Sequence, residues 1–403
     1  MSKEVLLGSI ADLKTGPFGT QLHADEYVSE GVPVINVRNI GYGNILADDI
    51  DMVSEETVSR LSEHKLCEND IVFGRKGSID RHAFIEKRYD GWMQGSDCIR
   101  VRIQDPEVNP RYVSHYLKLD SVKKQLINGA VGSTMPSMNT DVLKSISVLL
   151  PDKSVQDVVE GILSSIEEKI ENNNAICSNL EAMAKLLYDY WFVQFDFPDE
   201  NGNPYKSSGG KMVWNDELKR EIPAGWEVKP LSEVFDITMG SSPSGESLNT
   251  DGNGVEFYQG STDFGDLYPS IRVFTTSPVR FAKAQDVLMS VRAPVGDMNI
   301  AMNDCCIGRG LASLRSKVGC QSYLFYQLQE LEHVFSVSDD DGTVFGSINK
   351  DDLHCIEVVI PTLQEMTVFE EHASVVDKQI GLKGKVINNL TELQSLLLAR
   401  MGK

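Results

Sequence analysis

Ser137-Met138-Asn139-Thr140-Asp141-Val142-Leu143-Lys144-Ser145-Ile146-Ser147-Val148-Leu149-Leu150-Pro151 returns 210 residues later as Ser347-Ile348-Asn349-Lys350-Asp351-Asp352-Leu353-His354-Cys355-Ile356-Glu357-Val358-Val359-Ile360-Pro361. Gly132 and Gly342 precede the two copies at the same offset. Beyond the prolines the register continues, with Ile170 on Ile380, Asn179 on Asn389, Leu180 on Leu390 and Leu187 on Leu397. Chance matches do not keep one offset over so long a span. Self-similarity of this kind sets the architecture before any local signal is read. The chain consists of two related halves.

The starts of the halves also correspond, at a different offset. Asp12 and Gly16 match Asp236 and Gly240, 224 residues on. Between start and end, Asp70-Ile71-Val72-Phe73-Gly74-Arg75 resembles Asp286-Val287-Leu288-Met289-Ser290-Val291-Arg292, which sets Arg75 on Arg292 at an offset of 217. Each half therefore has a fixed end and a front part with insertions and deletions. A constant frame carrying variable loops is how a binding scaffold is usually built.

After Pro151 and Pro361 the pattern turns helical. Ser154 to about Trp191 contains no proline, and Val159, Ile162, Ile166, Ile170, Ile176, Leu180, Met183 and Leu187 form an apolar seam. Val159, Ile166, Leu180 and Leu187 share one heptad position whose remaining member is Asn173, a polar residue of the sort that fixes register at a cost in stability. The second seam runs through Phe369, Val376, Ile380, Ile387, Leu390, Leu393, Leu397 and Met401. It is interrupted by Lys383 and by Gly381 and Gly384, each glycine costing about 1 kcal/mol relative to alanine. Such a seam also suits one helix packed on its own domain, but two matched seams in one chain favour a coiled coil. The expected interface sets Ile166, Ile170, Asn173, Leu180 and Leu187 against Val376, Ile380, Leu390 and Leu397. A helix of roughly 38 residues spans about 57 Å.

The front parts read as strand-rich. Gly31–Val37, Asp70–Phe73 and Cys98–Ile103 are short apolar runs bounded by turn residues. Arg100 and Arg102 alternate with apolar neighbours, which predicts one wet strand face. Tyr112–Leu117 opens a short helix with a loose match in Tyr323–Leu328. Phe195–Pro204 and Ser207–Gly210 read as a polar, Gly/Pro-rich linker. The segmentation is thus 1–151, helix 152–194, linker 195–222, 223–361 and helix 362–403, an α+β chain.

Composition narrows the class. With 41% hydrophobic and 24% charged residues, 403 residues suffice for two or three globular domains. No apolar run approaches the ~20 residues of a membrane span, and Met1-Ser2-Lys3-Glu4 lacks the apolar core of a signal peptide. Seven cysteines without a CxxC pair suit reduced thiols in the cytoplasm. A net charge of −21 argues against a surface made for phosphate throughout. Yet Arg75, Lys76, Arg81, Lys87 and Arg88 cluster against only Asp80 and Glu86. Acidic runs such as Asp339-Asp340-Asp341 lie elsewhere, as solvated surface or as faces for basic partners. The sequence contains no G-x-G-x-x-G, Walker A, G-x-S-x-G or HExxH pattern. No catalytic, metal or cofactor residue is therefore assigned.

Several phrases, in this order and repeated, resemble a known family. They are Asp70-Ile71-Val72-Phe73-Gly74-Arg75-Lys76-Gly77-Ser78-Ile79, Ser137-Met138-Asn139 with Ser347-Ile348-Asn349, Leu187-Tyr188-Asp189-Tyr190-Trp191-Phe192-Val193-Gln194-Phe195-Asp196, and Ile222-Pro223-Ala224-Gly225-Trp226. The whole chain resembles the specificity subunit of Type I restriction–modification enzymes. The resemblance implies two strand-rich target recognition domains in pseudo-twofold arrangement, separated by two long helices in an antiparallel coiled coil. Each domain would read half of a bipartite, asymmetric DNA site, with the helices setting the gap. Implied partners are double-stranded DNA, two methyltransferase subunits that carry S-adenosylmethionine and, for restriction, translocase–nuclease subunits. This chain would be a cytoplasmic, non-catalytic component with no cofactor and no membrane contact.

By their chemistry, the candidate DNA contacts are Arg75, Lys76, Ser78, Arg81 and Arg292, followed by the loop residues Thr20, Ser241 and Ser242. Arg and Lys pair with guanine edges or with phosphates. Arg309 reads equally as an ion-pair partner at the rim of the core. A rival reading is a two-domain coiled-coil interaction scaffold with no DNA role, which the net charge suits.

Overall fold

Strand Ile71–Gly74 is buried along its whole length and hydrogen-bonded on both sides, to Cys98–Ile103 and to His82–Phe84. A computed structural model describes residues 2–17, 21–130, 137–265, 267–331 and 347–402. The chain divides into one unit of Met1–Glu171 with Asn388–Lys403 and another of Asn172–Ile387.

In the first unit a five-stranded sheet has the order Ala11–Thr15, Cys98–Ile103, Ile71–Gly74, His82–Phe84, Tyr42–Gly43. A four-stranded sheet joins Tyr27–Val28, Asp51–Val53, Val32–Ile35 and Met93–Gln94. Lys3–Leu6 pairs antiparallel with Ser147–Leu150, inside the repeated segment.

The second unit repeats this frame. Its four-stranded sheet has the order Phe235–Met239, Leu311–Ser316, Val287–Ser290, Met298–Ile300, and Glu227–Pro230 pairs with Glu357–Ile360. The registers correspond: Ile103 faces Ala11 as Ser316 faces Phe235, and Val101 faces Ile71 as Leu314 faces Val287. The two helices matched only loosely in sequence are also equivalent. Tyr112 Oη donates to Leu149 O at 3.0 Å, and Tyr323 Oη to Val359 O at 3.1 Å.

The wet strand face predicted at Arg100 and Arg102 is largely closed. Arg100 is buried and donates to Asp12 Oδ2 at 2.8 Å and to Glu63 O at 3.1 Å. Arg102 grips the buried Asp70. Cys98–Ile103 runs between two neighbouring strands, and carboxylates supply the polar partners that water would otherwise provide.

The long helices are Lys153–Tyr188, prolonged by a five-residue π turn at Asp189–Val193, and Leu363–Met401. In the first unit, Gln394 donates to Glu167 Oε1 at 2.8 Å, and Val159 and Leu163 share an apolar cluster with Leu397 and Met401. In the second unit, Cys177 Sγ lies 4.0 Å from Ile380 O, and Tyr188 and Trp191 pack on Phe369. Rising numbers on one helix meet falling numbers on the other, so the pairing within each unit is antiparallel.

Ile166 and Ile380 are buried in this seam, and Ile170, Asn173, Leu180, Leu187, Val376, Leu390 and Leu397 are half-buried. Ile162, Met183 and Leu393 are not part of it, being 47%, 53% and 44% exposed. The second heptad row of the first helix is instead Leu163, Ile170, Cys177, Ala184 and Trp191, with four of these five buried. The second helix runs unbroken through both glycines. Gly381 has a packing reason, since a Cβ there would lie 2.8 Å from Tyr268 Oη.

The stretch read as a linker is folded. Phe195, Phe197 and Ile222 are buried with Trp226, and Met212–Asn215 forms a hairpin with Arg220–Pro223. Its aromatic residues outweigh the turn-forming composition around them.

Candidate nucleic-acid interface

In the first unit several loops meet at one end of the five-stranded sheet. Gly16 N–H donates to Cys98 O at 2.9 Å, Arg75 N–H to Asp97 O at 2.7 Å, and Met138 N–H to Arg75 O at 2.9 Å. Gly95 N–H closes the set on Ile35 O at 2.9 Å. The chains cross so tightly that a Cβ on Gly16 would sit 1.9 Å from Gly95 O, so only glycine fits. The result is a rim of Gly16, Arg75–Ser78, Gly95–Asp97 and Ser137–Met138.

The second unit builds the same rim from different residues. Gly240 N–H donates to Leu311 O at 2.9 Å, Val291 N–H to Gly310 O at 2.9 Å, and Ile348 N–H to Val291 O at 2.9 Å. Gly308 N–H donates to Tyr258 O at 2.8 Å, and a Cβ on Gly240 would meet Gly308 O at 2.2 Å.

These bonds correct one sequence correspondence. Lys76 bridges Ser137 and Arg292 bridges Ser347, so Arg292 is the counterpart of Lys76, and Val291 that of Arg75. The identity of two arginines draws the sequence alignment one residue out of register. The backbone pairing decides it.

Arg75 and Ser78 are half-buried on the first rim, while Lys76 is exposed with Nζ 3.1 Å from Asp97 Oδ1. Gly77, with φ +74°, provides the left-handed turn between them. Arg81 stands where this turn re-enters the sheet, and its backbone N–H reaches Ser78 O at 3.4 Å. On the second rim Arg292 is exposed, and its carbonyl accepts Ser290 Oγ at 2.8 Å. Ser241 N–H donates to Ile307 O at 3.0 Å. Ser242 Oγ accepts from Gln259 Nε2 at 3.0 Å and from Arg309 N–H at 3.3 Å. Thr20 lies outside the described residues.

Arg309 belongs to the second rim as an exposed side chain, and among the described residues neither it nor Arg292 pairs with a carboxylate. No local sequence signal places Arg309, because its position on the rim depends on the Gly308–Gly310 crossing. Each unit thus presents cationic and hydroxyl side chains on a rigid backbone frame, which suits groove edges and phosphates. Among the described residues no group of three or more His, Cys, Asp or Glu could hold a metal ion, and no helix is long and apolar enough to cross a membrane.

Comparison with known proteins gives the frame a family. The family described as the Type I restriction modification DNA specificity domain matches residues 2–182 and 223–392. The chain is 30% identical over 366 residues to the MjaX specificity subunit ascribed to a type I restriction enzyme of Methanocaldococcus jannaschii, covering 88% of this chain and 82% of that one. It is 22% identical over 390 residues to the HindI specificity subunit of Haemophilus influenzae, covering 80% and 83%. The crystal structure of the S subunit of a Type I restriction–modification system from M. genitalium superimposes with a TM-score of 0.66 at 16% identity, covering 100% of this chain and 96% of that one. With a frame built twice and a family match in both halves, the chain belongs to the Type I restriction–modification DNA specificity family.

Proposed function

We propose that this chain is the sequence-reading, non-catalytic subunit of a Type I restriction–modification assembly, directing it to a bipartite, asymmetric DNA site. The observation that carries this reading is the rim built twice on one set of backbone bonds with unlike side chains. Gly95-Ser96-Asp97 stands where the second unit has Gly308-Arg309-Gly310, and Lys76 where it has Arg292. Equivalent frames with different surfaces suit two different half-sites. Arg75, Lys76, Ser78, Arg81, Thr20 and Ser137 would serve one half-site, and Ser241, Ser242, Arg292 and Arg309 the other.

The paired helices would act as the spacer. A second reading contact made on the same molecule is effectively intramolecular, which favours correctly spaced half-sites over isolated ones. Methylation would come from two methyltransferase subunits that carry S-adenosylmethionine, and cleavage from translocase–nuclease subunits. With a net charge of −21, this chain leaves much of the phosphate neutralisation to those partners. The test is to map N6-methyladenine in cells that express the partner methyltransferase with and without this chain. A two-part motif should appear only in its presence. Methylation unchanged by its deletion would refute the reading.

A further inference from the structure

Tyr42, Arg81 and Lys123 come from three separate stretches of the first unit and meet at one point. Tyr42 opens the edge strand Tyr42–Gly43, whose parallel pairing with His82–Phe84 sets it opposite His82. The Arg81 guanidinium carbon lies 4.7 Å from the centre of the Tyr42 ring. Lys123 Nζ, from helix Asp120–Gly129, lies 5.1 Å from the same centre. Strand Ile71–Gly74 leads into the Arg75–Ser78 turn and His82–Phe84 leaves it, so the trio stands at the rim end of the sheet. Tyr42 is 52% exposed.

The charges here are poorly matched by internal acids. Arg38, Arg60, Arg88, Arg100, Arg102 and Arg111 of this unit each meet a carboxylate. Arg81 meets none among the described residues, and its buried Nε has no hydrogen-bond partner. Among the described residues Lys123 pairs only with Asp120, at 3.9 Å, whose side chain is 91% exposed. Next to them, Gly43 leaves room for Lys118, since a Cβ there would lie 2.2 Å from Lys118 Cε. Lys118 itself is neutralised by Glu167.

An aromatic ring attracts cations to its faces, so Tyr42 holds two charges that would otherwise repel each other. A ring approached by two cations offers little open face for stacking a base. What the group presents is N–H donors and positive charge, which fit phosphate oxygens and carry no sequence information. The second unit has Asp297 at the position of Arg81, immediately before strand Met298–Ile300, so the arrangement belongs to one half only.

We propose that Tyr42, Arg81 and Lys123 form a phosphate anchor that holds the DNA backbone beside the first half-site and positions the duplex for the rim. This rests on the DNA-reading function proposed above. The test uses the chain assembled with its methyltransferase, titrated with a duplex carrying the methylated motif and with a scrambled duplex, at about 50 and about 200 mM salt. Arg81→Gln and Lys123→Gln should each weaken binding to both duplexes by the same factor. Each should also flatten the salt dependence by about one phosphate contact, so that the deficit is about fourfold larger at the lower salt. Arg81→Lys should recover most of the affinity, Tyr42→Phe should resemble the wild type, and Tyr42→Ala should resemble the charge-loss variants.

Unchanged affinity and salt dependence in both Gln variants would overturn the anchor, as would a loss confined to one base position. If the wild-type complex itself fails to prefer its motif, the reading function falls, and the anchor with it. If the wild type discriminates normally and the variants match it, only the anchor falls.

Discussion

Arg102 holds Asp70 through two hydrogen bonds of 2.7 Å, and in the second unit Arg315 holds Asp286 at the equivalent position. Each aspartate also accepts a backbone N–H at 2.8 Å, from Cys67 and from Lys283. The residues just before them, Asn69 and Gln285, share a left-handed backbone with φ +74° and +71°. The pair therefore fixes the start of the strand whose other end becomes the rim.

Removing Arg102 should leave a carboxylate buried without its counter-charge. Arg102→Ala is expected to destabilise the first unit by roughly 3 kcal/mol, the lower end of the range for breaking a buried pair, because the arginine is partly exposed. Urea unfolding measures this. A change below about 1 kcal/mol would show that the pair contributes little to holding the strand.

The two glycines of the second helix should respond differently to alanine. A Cβ on Gly384 meets nothing within 4 Å, so Gly384→Ala should stabilise by up to about 1 kcal/mol. At Gly381 the new methyl displaces Tyr268, whose hydroxyl donates to Asp377 O at 3.3 Å. That substitution should forfeit the propensity gain and fall about 1–2 kcal/mol below Gly384→Ala. Paired thermal melts compare them, and equal effects would contradict the close contact.

Acid should weaken the first unit through two buried histidines. Burial, then the charge of Lys118, depresses His82 to about 3 and His115 to about 2. His115 Nδ1 lies 3.6 Å from Glu167, but Lys118 and Arg111 already share that carboxylate. Both folded values lie below the unfolded value near 6.5, so below that pH the unfolded chain binds more protons. Stability is therefore complete above about pH 6.5 and falls with acid, by up to about 1.4 kcal/mol per pH unit for each histidine. His115→Gln should flatten the decline between pH 7 and about pH 5 in equilibrium unfolding, and an unaltered slope would count against the neutral buried state.

The frame was legible in the sequence because its parts are local and repeated. The segment from Ser137 to Pro151 fixes a cap, a strand and a helix start within one stretch, and its second copy keeps every spacing. Side-chain size misled the reading of the helix seam. Ile162 and Met183 are larger than Cys177 and Ala184, yet the small residues face inward, where closely packed helices leave less room. The two arginines, Arg75 and Arg292, are identical in type yet one residue apart in register, because backbone pairing and not side-chain identity sets equivalence. Tyr42 and Lys123 gave no signal at all. They meet Arg81 through a parallel strand pairing and a helix remote in sequence, which no local pattern encodes.

Exchange of one reader shows whether two independent readers share one chain. Residues 1–151 are replaced with the corresponding part of another family member, and N6-methyladenine is mapped in cells carrying the partner methyltransferase. One half of the two-part motif should change while the other half and the spacing stay as in the wild type. A motif changed in both halves, or not changed at all, would contradict two independent readers.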